Sequence, residues 1–106
     1  MNELLKNAET MTSLQIAEVT GMRHADVMRS IRNMEEAWTK TTQRNFPLSE
    51  YKDSTGRSLP MYQLNKTECL YVATKFNDEA RAKLVIRWEE LERELSRNGI
   101  RLSEDR

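Results

Sequence analysis

Residues 23–36 read RHADVMRSIRNMEE, and three of them, Arg29, Arg32 and Asn33, recur at a spacing that gathers them on one side of a helix. A guanidinium can donate two parallel hydrogen bonds to the edge of guanine, and a carboxamide can pair a donor and an acceptor with adenine. These residue types in this pattern suit readout of base edges in a major groove. Arg23 and His24 stand just before them, where they would meet phosphates. A second polar group, Lys52, Ser54, Thr55 and Arg57, can contact phosphates or reach into a minor groove. The expected partner is double-stranded DNA, with Arg29, Arg32 and Asn33 reading bases and Arg23, His24, Lys52 and Arg57 contacting the backbone or forming a wing. Two alternatives stay open on these residues alone. Crossed helices also occur in domains that never touch DNA, and a polar cluster is also what an ordinary turn looks like.

Other chemistries find little support. His24 is the sole histidine and Cys69 the sole cysteine, so neither a zinc cluster nor a Cys-His pair with further ligands of the same kind can be assembled. Cys69 lies beside Leu70 and Val72 and reads as core packing. His24 is expected to cap a helix, contact phosphate or pack against the hairpin; catalysis would need a pocket pairing it with a carboxylate. The three glycines are scattered, and no phosphate loop or serine-nucleophile motif is present. Glu89, Glu90, Glu92 and Glu94 alternate with Arg87, Arg93 and Arg97, a pattern of helix-face ion pairs rather than a metal site. No enzyme activity, cofactor or metal is expected.

The elements that must carry these residues fit one small domain of 106 residues, 38% hydrophobic and 32% charged. With 17 basic and 17 acidic residues the chain has no net charge, so any attraction to DNA must be local. Residues 23–44 carry five Lys or Arg against three acids, whereas residues 1–22 carry one against three.

Thr12 with Gln15 three positions on forms a capping-box pattern that opens a helix over about 13–20. Gly21 ends it in a tight turn, and a second helix runs from His24 or Ala25 to Ala37 or Trp38. Its stripe of Val27, Ile31, Met34 and Trp38 faces a core, with Ala25, Arg29, Arg32, Asn33 and Glu36 opposite. The pair has the pattern of a helix-turn-helix. Between Phe46 and Leu64, two short extended runs flank KDSTGRS, a β-hairpin that Pro47 and Pro60 restrict to a small edge-like ribbon. Asn65 with Glu68 opens a third helix to about Phe76. Asn77, Asp78 and Glu79 open a last one to about Arg97, before Asn98-Gly99.

Leu84, Trp88, Leu91 and Leu95 form a heptad-like seam on that last helix, which either packs on its own domain or pairs two copies. A homodimer would set two recognition helices about 34 Å apart on a palindromic site. The expected organisation is a polar lead-in over 1–11, one domain over 12–98 and a tail over 99–106. The expected fold class is α+β, mostly α. No apolar run approaches the roughly 18 residues of a membrane span, and the N-terminus has no secretion pattern, so the cytoplasm is the expected location.

Three blocks, MTSLQIAEVTGMRHADVMRSIRNM, FPLSEYKDSTGRSLPMYQLNKTECLYVA and VIRWEELERE, resemble the phage regulatory protein Rha family over about residues 11–95. The resemblance implies a winged-helix-like regulator of phage or prophage gene expression in a bacterial host, joined in larger relatives to an antirepressor-type C-terminal domain. The matching positions are Arg23, His24, Val27, Arg29, Ile31 and Arg32 in the first block, and Tyr51, Gly56, Arg57, Pro60 and Tyr62 in the second. Helix 24–38 would enter the major groove with hairpin 49–62 as the wing. The alternative is an antirepressor-type interaction module that captures a phage repressor through the helix bearing Trp88.

Overall fold

The computed structural model describes the backbone of residues 10–104 and the side chains of residues 10–94. Within them are four helices and one antiparallel sheet of three strands: β1 (Thr10–Thr12), α1 (Ser13–Thr20), α2 (His24–Thr42), β2 (Leu48–Lys52), β3 (Ser58–Asn65), α3 (Lys66–Ala73) and α4 (Asp78–Glu104). The fold class is mixed α+β and mostly helical.

Local sequence signals set the helix starts. The Thr12 hydroxyl accepts from the Gln15 N–H at 3.1 Å, while the Thr12 N–H donates to Gln15 Oε1 at 2.8 Å. The reciprocal bonds satisfy two donors that the first turn of α1 would otherwise leave orphaned. Gly21 (φ 77°) takes the left-handed conformation that closes α1, donating its N–H to Ala17 O at 2.9 Å. Asn65 and Glu68 repeat the capping box at the start of α3, and the Asn77 side chain accepts from the Ala80 N–H at 2.8 Å to open α4.

Three boundaries differ from the sequence expectation. α2 continues past Trp38 to Thr42, because no glycine or proline interrupts it and the Thr42 hydroxyl donates back to Trp38 O at 2.8 Å; Gln43 (φ 61°) then ends it. α3 stops at Ala73, followed by tight turns through Phe76. α4 runs beyond Arg97 to Glu104, because a glycine such as Gly99 costs a helix only about 1 kcal/mol and does not by itself stop it.

Thr10–Thr12, expected largely within the polar lead-in, is a strand. Met11 lies opposite Leu64, so β3 is central and the sheet order is β1-β3-β2. Pro60 therefore sits in the middle strand rather than in a free ribbon. Its missing donor is tolerated because β1 covers only Gln63–Asn65. The Tyr62 N–H points away from β2 to Ser13 Oγ, so by strand alternation the Pro60 nitrogen faces the same uncovered edge.

One core fills the space between the helices and the sheet. The expected stripe of Val27, Ile31, Met34 and Trp38 is buried in it with Ile16, Phe46, Leu64, Cys69 and Val72. Trp38 stacks on Phe46 with ring centres 5.4 Å apart. From α4, Leu84 and Trp88 are buried and Leu91 packs half-buried against them, so this much of the heptad-like seam lies inside its own domain. Leu95's side chain falls outside the described residues. Burial also fixes Cys69, whose thiol is pushed up to about 12, chiefly by desolvation. The Trp88 indole N–H, also buried, has no hydrogen-bond partner among the described residues.

Candidate functional site

The outward face of α2 carries Ala25, Arg29, Arg32, Asn33 and Glu36, all exposed, because the apolar stripe consumes the opposite face. The hairpin formed by β2 and β3 runs beside this face. Between them lies an open groove of about 430 Å³, walled by His24, Arg29, Arg32 and Asn33 on one side and Tyr51, Leu59 and Pro60 on the other, with buried Met28 between.

Asp26 organises the helix start. It accepts from Arg29 at 2.9 Å and from Arg23 at 3.2 Å, and these hydrogen bonds hold its carboxyl below the usual carboxylate range. Both arginines stay open to solvent, the Arg29 side chain at 65% and that of Arg23 at 82%. The Asn33 side chain has no hydrogen-bond partner among the described residues, so its carboxamide is open to solvent.

His24 is the joint between α2 and its neighbours. Its Nε2 lies 2.8 Å from Ser13 Oγ, and its ring meets Tyr51 edge-on at 5.7 Å. Desolvation first, and then the Arg32 charge, lower its pKa, so the ring is neutral at neutral pH. Ser13 is fully buried and already accepts from the Tyr62 N–H at 3.1 Å. Its own proton needs an acceptor, and His24 Nε2 is the one within reach, which assigns the ring proton to Nδ1. Of the expected roles for His24, the structure shows packing against the hairpin. Capping is not among them, since the α2 N-cap is Arg23 and makes no side-chain cap.

Sequence reasoning missed Glu35. Its two carboxylate oxygens accept from the Phe46 N–H at 3.1 Å and from the Tyr62 hydroxyl at 3.3 Å, tying α2 both to the loop before β2 and to β3. Burial, then the Glu35 charge, raise the Tyr62 pKa. A signal existed: eleven residues is close to three helical turns, so Glu35 had to share a face with His24.

The hairpin tip is built by Asp53. It accepts from the N–H groups of Thr55 and Arg57, from the Thr55 hydroxyl and from Arg57 Nε, while Gly56 (φ 89°) donates back to Asp53 O at 3.0 Å. Lys52 and Arg57 are exposed at this tip and do not line the groove. The expected positions thus fall into three places: His24, Arg29, Arg32 and Asn33 in the groove with Arg23 at the helix start, Lys52 and Arg57 at the tip, and Leu84 and Trp88 in the core. Trp88 is only 2% exposed, so any contact of its helix with a repressor would have to use other residues of that helix.

Nothing in the groove resembles an acid-base pair, since no carboxylate lines it beside His24. Among the described residues there is no group of three His, Cys, Asp or Glu suited to a metal, and no helix long and apolar enough to cross a membrane.

The site is thus a helix face of donors beside a hairpin, on a small α+β scaffold. Residues 11–93 match the family described as phage regulatory protein Rha, and the chain belongs to that family. It is 36% identical over 90 residues to the "SPbeta prophage-derived putative antirepressor protein YoqD" of Bacillus subtilis (strain 168). The match takes in 78% of this chain and 36% of that relative, so the chain spans little more than a third of the relative's length. No solved structure matches the chain.

Proposed function

We propose that the chain is a sequence-specific DNA-binding regulator of phage or prophage genes, acting in the bacterial cytoplasm. In this reading 12–98 is a winged-helix domain, α1 and α2 are its helix-turn-helix, and β2 and β3 are its wing. The observation that carries it is the placement of Arg29, Arg32 and Asn33, exposed together on α2 and facing the hairpin across one groove. Arg29 and Arg32 supply forked donors and Asn33 an amide for base edges, while Asp26 holds the Arg29 fork in a defined orientation. Arg23, Lys52, Arg57 and the Nδ1–H of His24 contact phosphates and fix the register. A palindromic site would be read by two copies, the second compensating for the absent net charge by adding phosphate contacts.

The test is titration of the folded protein into the DNA upstream of its own gene and into a scrambled duplex, at two salt concentrations. The expected result is tighter, salt-sensitive binding to its own DNA, with Arg29→Ala losing about 1–3 kcal/mol of it. An unchanged specific affinity in Arg29→Ala would show that the α2 face is not the reader.

A second reading, a protein-interaction module that captures a phage repressor, is favoured by the antirepressor name of the relative and by Val85 and Ile86. These neighbours are 47% and 53% exposed on α4. Contact through that apolar patch would be nearly insensitive to salt. Failure of the folded chain to bind either duplex would favour it.

A further inference from the structure

Tyr62 is bound through three separate groups. Its N–H donates to Ser13 Oγ, its hydroxyl donates to Glu35 Oε1, and its ring stands edge-on to Phe46 with centres 6.2 Å apart. Two of these contacts lead to α2. Ser13 Oγ continues to His24 at the first residue of the helix, and Glu35 lies eleven residues further on. The attachment points are about 16 Å apart along the helix, at about 1.5 Å per residue. Arg29, Arg32 and Asn33 all lie between them.

A helix held to a hairpin at one point can pivot about it, whereas one held at two separated points cannot. Both attachments converge on a single residue of β3, which also pairs with Leu48 of β2 and so carries the whole ribbon with it. We propose that Tyr62 is the positioning residue that sets the angle and gap between α2 and the hairpin, with Glu35 and Ser13 as its two points of purchase. Its effect on DNA rests on the regulator reading above: a fixed gap lets the helix and the hairpin engage a duplex in one register, and a variable gap lets them engage it in many. The attachment itself does not depend on that reading.

The test measures the gap directly. Spin labels on Ser54→Cys at the hairpin tip and Thr41→Cys near the end of α2, both exposed positions, report the distance between the elements. Native Cys69 is fully buried and does not take the label. In the otherwise native chain the distance distribution is expected to be narrow. Tyr62→Phe, which removes only the hydroxyl, and Glu35→Ala should each broaden it by several ångströms, and Glu35→Gln, which keeps one acceptor oxygen, should broaden it less. Preference for the upstream duplex over the scrambled one should fall about tenfold in Tyr62→Phe, the scale of one lost base contact, with affinity for the scrambled duplex unchanged. Unchanged distributions in both Tyr62→Phe and Glu35→Ala would overturn the proposal whatever the DNA result. Ser13→Ala serves as the second arm should either variant fail to fold. A native chain that binds neither duplex removes the regulator reading alone, because the distance measurement still judges the attachment.

Discussion

α2 and α4 are the two long helices of the domain; each buries an apolar stripe in the same core, yet their outer faces behave differently. Along α4 the charges neutralise one another: Arg81 pairs with Asp78, Lys83 with Glu79, Arg87 with Glu90 and Arg93 with Glu89, while Glu92 holds Lys66 of α3 at 2.7 Å. On α2, Glu35 is turned inward to Phe46 and Tyr62, and Glu36 is taken by Lys40, which leaves Asp26 to align the arginines. Over residues 78–94 α4 has six acids to four bases, whereas α2 has three of each, so the first surface is self-satisfied and the second still presents donors. The excess of acids on α4 and the inward turn of Glu35 on α2 together separate a self-paired face from one with open donors.

The largest effect expected from this division is on the buried side of α4. Trp88→Ala should lose about 3–5 kcal/mol in denaturant unfolding, since it leaves a large cavity in the core. A small loss of stability would mean that α4 is held only loosely against the core. On the α2 side, Arg57→Ala at the hairpin tip should weaken binding to both duplexes equally and lower the salt slope by about 1, as for one lost phosphate contact. A loss confined to the upstream duplex would move Arg57 from backbone contact to base reader. Arg93→Ala on the outer face of α4 should change stability by no more than about 0.5 kcal/mol and leave DNA affinity unaltered. A marked loss of affinity there would erase the distinction between the two faces.

The smallest effect expected is the pH dependence of His24. Its folded pKa lies below the ordinary value of 6.5, so the folded state binds the proton less readily than the unfolded chain. The stabilisation is complete above the unfolded value and is lost as pH falls through the lowered folded one. Between about pH 7.5 and about pH 5, the native chain should lose more thermal stability than His24→Gln does. Identical pH profiles would show that the ring is not desolvated against Tyr51 and Ser13.

What could be read in the sequence was what acts over three or four residues. Thr12 with Gln15, Asn65 with Glu68 and Gly21 each declare a helix end through local hydrogen bonds or backbone freedom. The outward face of α2 was equally legible, because a period of 3.6 sorts Val27, Ile31, Met34 and Trp38 from Arg29, Arg32 and Asn33. β1 escaped notice because three residues contain no period and its partner, Gln63–Asn65, lies some fifty positions away. Glu35 looked like one more surface acid, since its partners Phe46 and Tyr62 come from other elements. The end of α2 was missed for a different reason: Gln43 adopts a left-handed conformation usually left to glycine or asparagine, and nothing in its side chain announces it.

Pro60 also bears on how copies of this domain behave when crowded together. Beyond the reach of β1, the uncovered edge of β3 would be a template for a strand from another molecule, but at Pro60 it has no N–H to offer. An incoming strand would lose its ladder at that point, so growth of the sheet from one molecule into the next is interrupted at its central strand.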